Sequence, residues 1–387
     1  MDEGMDAPRI EEDIDLEEVT LAPAAGPGVS PCSIKVIGVG GGGGNTLNRM
    51  VQEGPGVERS TFLEYVACNT DVQALTASLG DTTIQLGKNQ ARGLGAGGIP
   101  AVGRASAIDA AAEIEALVRG TDMVFVTAGM GGGTGSGAAP VVAELAKQAG
   151  CLTVGIVTKP FSFEGRKRMN QAAEAIEELQ SHVDILIVVS NDKLLEIVPE
   201  GVPLQEAFSM ADEILRQGIT GISDIVVKPG LINVDFADVR SVMTDAGPAL
   251  MGIGRGFGKT RARDAALAAV SSPLLDFPIE RAKGVVFTIT GNSDMSLQEV
   301  NDVASVIGNI VADDANIIFG TSVDEEYGDE IAVTVVATSF DVPAPAVQEP
   351  RRFASPPPPT RDFRVAPPAP STDEEPPSRP RKFWSRF

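Results

Sequence analysis

The sequence predicts an α/β protein: a mostly parallel sheet covered by helices, then a long helix, then a second, smaller α/β domain. Three observations support this prediction. Short β-branched runs alternate with helical segments over residues 34–202, which is typical of a parallel sheet with crossover helices and indicates a Rossmann-like first domain. Residues 203–226 show one long amphipathic helical pattern, interrupted only by two glycines near its end. The alternation resumes over residues 227–340.

Individual elements follow from the same patterns. In the first domain we predict strands at residues 33–39, 65–68, 123–127, 153–157 and 185–189, and helices at residues 105–118, 138–148 and 167–179. In the second domain we predict strands at residues 284–290, 316–320 and 331–338, and helices at residues 262–270 and 297–310.

The two ends of the chain differ in composition from this core. Residues 1–33 are acidic and then rich in Ala, Gly and Pro, which predicts a disordered arm unlike a signal or transit peptide. Thirteen of the 27 prolines fall in the last 47 residues. Residues 341–378 are therefore predicted to form an extended linker, and residues 379–387 a separate basic-aromatic peptide.

Charge and hydropathy exclude some classes of partner. The net charge of −22 argues against nucleic acid, because such a protein needs a basic surface for phosphates. No apolar run approaches the ~20 residues of a membrane-spanning helix, so direct membrane insertion is not expected. The three cysteines, Cys32, Cys68 and Cys151, are widely spaced and indicate reduced thiols.

Two glycine clusters each lie between a predicted strand and a predicted helix. The first spans residues 38–44 and satisfies GxGxxG, although a run of five glycines matches almost any glycine pattern. The second spans residues 131–137, GGGTGSG. Either cluster alone is explained equally well by a tight turn. Two of them at one end of one sheet favour phosphate binding by backbone N–H groups and helix N-termini.

Two other nucleotide-binding classes fit less well. Residues 254–260 (GRGFGKT) resemble a P-loop, but the motif requires glycine at position 253, where this chain has Ile253. A Rossmann oxidoreductase using Gly38, Gly40 and Gly43 would leave the second glycine cluster unexplained. It would also lack a clear acidic residue for the ribose.

GGGTGSG closely resembles the tubulin/FtsZ signature. Seven segments, one of which contains GGGTGSG, are similar to FtsZ segments and occur in the same order along the chain. They are residues 34–45, 69–75, 92–98, 123–137, 158–168, 191–195 and 229–240. The chain is thus identified as a member of the FtsZ family over residues 34–340. Residues 215–224 and 258–282 are especially similar to cyanobacterial and plastid members. The resemblance implies a GTPase that polymerises head-to-tail into division filaments.

The resemblance also implies the nucleotide site. The phosphates of GTP or GDP would be held by two glycine turns, Gly41, Gly42, Gly43, Gly44 and Asn45 in the first and Gly131, Gly132, Gly133, Thr134 and Gly135 in the second. A third loop, Ala96, Gly97 and Gly98, would sense the γ-phosphate, and the acidic residue Asp71 would also contact the nucleotide. Family members usually have Asn where this chain has Ile99. This departure raises the alternative of a co-assembling subunit that does not hydrolyse GTP.

Sugar and base contacts are implied in the same way. Glu164 and Arg168 would bind the ribose hydroxyls, although an i,i+4 pair is also an ordinary surface ion pair. Phe208 and Asp212 would hold the base, since a carboxylate accepts hydrogen bonds from both N1–H and the 2-amino group of guanine but repels the N1 lone pair of adenine. Core packing for Phe208 and solvent exposure for Asp212 is the competing interpretation.

Hydrolysis would require an acid loop from the neighbouring subunit. The resemblance implies that Asn233, Asp235 and Asp238 reach the γ-phosphate of the next subunit, where the two acids orient the attacking water and Mg²⁺ offsets phosphate charge. The ordinary alternative is helix capping. The C-terminal peptide would dock on membrane-tethering division proteins, and the protein would work at the division site in the cytoplasm, or alternatively in a plastid stroma.

Overall fold

The computed structural model describes residues 32–53, 63–193, 202–227, 232, 234–275, 279–312 and 314–340. The acidic arm before residue 32 and the predicted linker and terminal peptide, residues 341–387, lie outside the described residues. Among the described helices, none is long and apolar enough to cross a membrane.

Ten strands form one continuous sheet in the order β3-β2-β1-β4-β5-β6-β7-β10-β8-β9. Their bounds are β1 Ile34–Val39, β2 Leu63–Asn69, β3 Thr82–Gln85, β4 Met123–Gly129, β5 Leu152–Lys159, β6 Ile185–Ser190, β7 Gly247–Phe257, β8 Ala282–Gly291, β9 Asn316–Val323 and β10 Glu330–Phe340. Strands β1 to β6 pair only in parallel, whereas β10 is antiparallel to both β7 and β8. The predicted α/β fold class is confirmed.

Ten helices cover the sheet within the described residues: α1 Gly40–Glu53, α2 Val72–Thr76, α3 Pro100–Asp109, α4 Ala111–Val118, α5 Gly133–Gln148, α6 Arg166–Gln180, α7 Leu204–Val227, α8 Phe236–Met243, α9 Arg261–Val270 and α10 Leu297–Gly308. The long predicted helix is α7. Its buried side chains pack with those of β1, β4, β5 and β6 in one hydrophobic cluster. The same cluster includes Val286 of β8 and Val336 of β10.

The glycines of α7 have a packing role. A Cβ at Gly218 would lie 2.5 Å from the Met251 sulfur, and one at Gly221 would lie 2.8 Å from the Thr334 side chain. The Gly221 carbonyl also accepts a 2.6 Å hydrogen bond from the Thr288 hydroxyl. The two glycines therefore allow the helix to lie directly on the second half of the sheet, which offsets their cost in helix propensity.

Strand β7 was not predicted, and it contains most of the segment that resembles a P-loop. Gly252, Gly254 and Gly256 alternate along this strand and face α9, where Cβ atoms would come within 2.0–2.1 Å of carbonyl oxygens of that helix. These glycines permit close approach of helix to strand and hold no phosphate. Alternating glycine is poorly represented in strands, so a local pattern gives no sign of β structure here.

Three predicted helices differ from those observed. The helix predicted at residues 138–148 begins at Gly133, so its first turn includes part of the second glycine cluster. Residues 105–118 do not form one helix, because Ala110 leaves the helical conformation between α3 and α4. The break lets Ala107 of α3 and Ile114 of α4 enter the same hydrophobic cluster. The helix predicted to reach residue 310 ends at Gly308, a residue with low helix propensity.

Candidate functional site

A cleft of about 330 Å³ opens at the carboxyl ends of the parallel strands, the edge at which α/β proteins generally bind ligands. The cleft is lined by residues from both glycine clusters, from the turns after β5 and β6, and from α7: Gly41, Gly42, Asn45, Gly129, Met130, Gly132, Gly133, Thr134, Gly135, Thr158, Pro160, Glu164, Arg168, Asn191 and Asp212. Ten of these fifteen are residues that the sequence indicated.

The first glycine cluster forms the first turns of α1 and is not a separate loop. Gly41 and Gly42 line the cleft together with Asn45, and nothing lies within 4 Å of a Cβ built on Gly41 or Gly44. Gly43 differs from them, because a Cβ there would lie 2.2 Å from the Thr127 carbonyl oxygen. Gly43 thus brings α1 against β4, whereas Gly41 and Gly44 leave backbone facing open space.

The second cluster shows the same division of roles. The Gly131 N–H donates to the Ser136 hydroxyl at 2.7 Å, so this amide is already engaged. Gly132 precedes α5 as its N-cap residue and has no atom near its Cβ position. Gly135 packs against β4, because a Cβ there would lie 2.4 Å from the Gly129 carbonyl oxygen. Gly132, Gly133, Thr134 and Gly135 line the cleft, and of these Gly135 also brings α5 against β4.

The proposed γ-phosphate loop lies behind the second turn. Gly97 and Gly98 have φ of 59° and 72°, which glycine adopts readily, and a Cβ on either would meet nothing within 4 Å. Ala96 is buried against Gly133. These three residues are not among those that line the cleft, and neither is Asp71, whose carboxylate caps α2 by accepting from the Gln73 N–H at 2.9 Å.

Glu164 and Arg168 both line the cleft and form an ion pair with each other. The Glu164 carboxylate also accepts a 3.0 Å hydrogen bond from the Phe161 N–H, which fixes its position. Its side chain is 17% exposed and that of Arg168 is 52% exposed. The pair is therefore both a local ion pair and a polar wall of the cleft.

Asp212 extends from α7 into the cleft and is partly buried. Its carboxylate accepts a 3.0 Å hydrogen bond from the Thr46 hydroxyl. Burial raises the pKa of Asp212 to about 6, against the opposing effects of the Thr46 hydrogen bond and the Arg49 charge. A partly desolvated carboxylate gains a strong interaction when a ligand supplies N–H donors. The backbone of Phe208 lies one turn earlier in α7, and its side chain is outside the described part of the structure.

The acids of the predicted catalytic loop lie outside this cleft. Asp235 is the N-cap residue of α8, where its carboxylate accepts from the Asp238 N–H at 2.8 Å. Both side chains are exposed, and neither lines the cleft. Asn233, the third residue assigned to this loop, is outside the described residues.

Five residues of the cleft were not singled out from the sequence: Gly129, Met130, Thr158, Pro160 and Asn191. Asn191 is the most informative, because it is only 8% exposed and its amide oxygen has no hydrogen-bond partner in the described structure. A buried polar atom without a partner indicates a position for a ligand donor. Its place at the end of β6, beside the other strand ends, was the signal in the sequence.

The arrangement suits an anionic ligand with a polar ring. Two helix N-termini, those of α1 and α5, face the same space and favour negative charge. Among the described residues, no group of three or more His, Cys, Asp or Glu side chains is placed to hold a metal ion.

Comparison with known proteins agrees with this chemistry. Residues 33–199 match the GTPase domain of the Tubulin/FtsZ family, and residues 247–341 match the C-terminal domain of the FtsZ family. The structure of an empty FtsZ dimer from M. jannaschii is similar with 44% identity and a TM-score of 0.76, over 80% of this chain and 88% of that chain.

More distant similarity shows the fold alone. CetZ2 from Haloferax volcanii, in a GTPγS-bound protofilament, has 22% identity and a TM-score of 0.67, over 79% of this chain and 92% of that chain. CetZ1 from the same organism, a GDP-bound monomer, has 20% identity and a TM-score of 0.66, over 79% of this chain and 93% of that chain. Because both domains match and the M. jannaschii protein is 44% identical over 80% of this chain, the chain belongs to the FtsZ family of tubulin-like GTPases.

Proposed function

We propose that this protein binds and hydrolyses GTP and polymerises head-to-tail, and that each active site is completed by the acid loop of the adjacent subunit. One observation carries the proposal: among the described residues, the carboxylates that line the cleft are Glu164 and Asp212, and both are already engaged within the subunit. Glu164 is paired with Arg168, and Asp212 with Thr46.

The placement of α8 supports a shared site. The residues after α8 lead into β7, whose first residue pairs with Ile185 at the amino end of β6. The cleft opens at the opposite, carboxyl edge, about 20 Å away for strands of six residues. Stacking subunits with these two edges in contact would bring the exposed acids Asp235 and Asp238 toward a neighbour's phosphates. Assembly would then switch hydrolysis on.

Self-association of a relative supports this proposal, since the M. jannaschii FtsZ structure is a dimer. We further propose that the filaments form the division ring of a cell, that Mg²⁺ accompanies the nucleotide, and that residues 379–387 bind a membrane-tethering partner. The similarity of residues 215–224 and 258–282 to cyanobacterial and plastid proteins favours a cyanobacterial cytoplasm or, alternatively, a plastid stroma.

The test is GTP turnover measured against protein concentration, with sedimentation in parallel. Turnover per subunit should rise steeply above a critical concentration. Asp238→Ala should abolish turnover while leaving GTP affinity unchanged, because the acid acts on the neighbour's nucleotide. Normal hydrolysis by that variant would refute the shared site.

The same experiment separates a second candidate, a subunit that assembles without hydrolysing GTP. This candidate rests on Ile99, which is the N-cap residue of α3, provides no side-chain cap and is 52% exposed. GTP-dependent sedimentation without turnover at any concentration would support it. Restoration of turnover by Ile99→Asn would assign the difference to this residue.

A further inference from the structure

A cluster of charged residues lies at the amino edge of the sheet, away from the nucleotide cleft. Lys147, in the last turn of α5, donates to Asp245 at 2.7 Å and pairs with Asp184 at 3.2 Å. Its ammonium group also lies 3.3 Å from the Val183 carbonyl. We call Lys147, Asp184 and Asp245 the clamp.

Asp184 is the fixed member of the clamp. Its side chain is 7% exposed, and one carboxylate oxygen accepts from the Thr153 N–H at 2.8 Å. Backbone hydrogen bonds join Asp184 to Thr153 and to Gly247, the first residue of β7. These hydrogen bonds fix the position of the Asp184 carboxylate. Because the carboxylate is buried, a nearby cation must compensate its charge.

Asp245 is the member that connects the clamp to the acid helix. It lies two residues after α8, and its φ of 50° is unusual for a residue other than glycine. Its N–H donates to the Asp184 carboxylate at 3.4 Å, and its own carboxylate, which is 73% exposed, accepts from Lys147. The clamp thus maintains the strained turn by which the chain leaves α8 and enters β7.

A second contact fixes the same helix. Arg240, in the last turn of α8, donates to the Gly150 carbonyl just after α5, at 3.2 Å. Partial burial lowers the pKa of Lys147, but its bonds to Asp245 and Asp184 outweigh this effect and raise the pKa overall. Lys147 is therefore fully charged at neutral pH, and α8 is fastened to the end of α5 at two points.

We propose that the clamp is a positioning device for catalysis: Lys147, through Asp184 and Asp245, sets the orientation of α8 and hence of the acids Asp235 and Asp238 that act on the neighbouring subunit's nucleotide. This inference rests on the proposed function. Lys147 touches no reacting group, so its effect is on the placement of the acids alone.

The geometry also connects the two ends of one subunit. Helix α5 begins at Gly133 in the phosphate turn and carries Lys147 in its last turn. Its 16 residues span roughly 24 Å at 1.5 Å per residue. The element that contacts the subunit's own phosphates thus also holds the acid helix that it presents to the next subunit.

The experiment compares Lys147→Met, Lys147→Arg and Asp245→Asn with the full-length chain. Lys147→Met should retain GTP affinity in the unassembled state, because no member of the clamp lines the cleft. Turnover per sedimented subunit should fall by about tenfold or more, since small displacements of catalytic groups have large effects on rate. Lys147→Arg should restore most of the rate, and Asp245→Asn, which retains a hydrogen-bond acceptor, should be intermediate.

Lys88→Met is the matched control, because it breaks a surface pair with Glu113 in which both side chains are about half exposed. It should leave turnover unchanged. A purely structural role for Lys147 would lower the melting temperature without changing the rate well below it. An unchanged rate per assembled subunit in Lys147→Met overturns the proposal.

Two outcomes need separate treatment. If Lys147→Met does not assemble alone, turnover is measured in mixed filaments with wild-type protein. Turnover should then fall as the fraction of variant rises, and a constant rate refutes the proposed role of the clamp. Loss of turnover in Asp238→Ala with normal turnover in Lys147→Met refutes the clamp alone. Normal turnover in Asp238→Ala refutes the proposed function itself.

Discussion

Asp212→Asn should stabilise the nucleotide-free protein while it weakens GTP binding. Burial raises the pKa of Asp212 from 3.8 to about 6, so the folded state favours the neutral carboxyl. A raised pKa contributes stability that is complete below the unfolded value, near 4, and lost as the pH rises through about 6. At pH 8 the charged carboxylate therefore lowers the free energy of unfolding.

The size of the effect follows from the shift. About two pKa units at roughly 1.36 kcal/mol each correspond to ~3 kcal/mol, an upper bound. Because Asp212 keeps some contact with solvent in the cleft, we expect a gain of about 1–2 kcal/mol for the asparagine at pH 8. The Thr46 hydroxyl can still donate to the amide oxygen, so the existing hydrogen bond survives.

Urea unfolding of nucleotide-free protein at pH 5 and pH 8 measures this change. The difference between variant and wild type should be larger at pH 8, and Thr46→Val should destabilise the protein because it removes the donor and keeps the charge. GTP affinity should fall by about 100-fold in Asp212→Asn, since a neutral amide cannot accept from two guanine donors as strongly. Equal or lower stability of Asp212→Asn at pH 8 would show that burial does not penalise this carboxylate.

Three further predictions concern stability, each read from the midpoint of denaturant unfolding. Glu299→Gln should cost about 2 kcal/mol at pH 7, because the hydrogen bond from Arg261 outweighs burial and holds the pKa of Glu299 at about 2. The stability that this lowered pKa contributes is present above the unfolded value of 4.5 and is lost as the pH falls toward 2. A cost that does not depend on pH would contradict this reasoning. Ile99→Asn should add about 1 kcal/mol by capping α3, and no gain would mean that the asparagine side chain does not accept from an N–H of the first turn. Gly254→Ala should cost about 3 kcal/mol, since the Cβ would lie 2.1 Å from the Ala265 carbonyl oxygen, whereas Gly308→Ala, with open space around it, should cost nothing.

Local patterns were sufficient to predict most of the sheet. Strands such as β4 and β5 are short, mostly apolar runs rich in Val, Ile and Thr and buried on both faces. Such a run between turns predicts a strand, and the predicted ends are correct to within about two residues. Strand β7 was missed because its identity depends on α9. Three of its positions are glycines that allow the following helix, α9, to lie against the strand, and the sequence of the strand alone does not show that packing.

The sequence predicted the location of the cleft more accurately than the individual residues that contact it. Both glycine clusters meet there, because carboxyl ends of parallel strands share one edge. Which amides are available depends on tertiary hydrogen bonds, such as the one from Gly131 to Ser136. Asn191 follows β6 at this same edge, which the sequence indicated, but its burial and its unsatisfied amide oxygen are seen only in the structure.

Strand β7 is shared between the two halves of the sheet, and this has a mechanical consequence. Only its first three residues pair with β6, and one of them, Pro248, has no N–H to donate. The eight residues from Leu250 to Phe257 pair with β10. When a subunit bends within a curved filament, the pairing between β6 and β7 should therefore open first, because few hydrogen bonds join these two strands. The cleft lies at the carboxyl ends of the strands, away from this pairing, and would keep its shape as the filament bends.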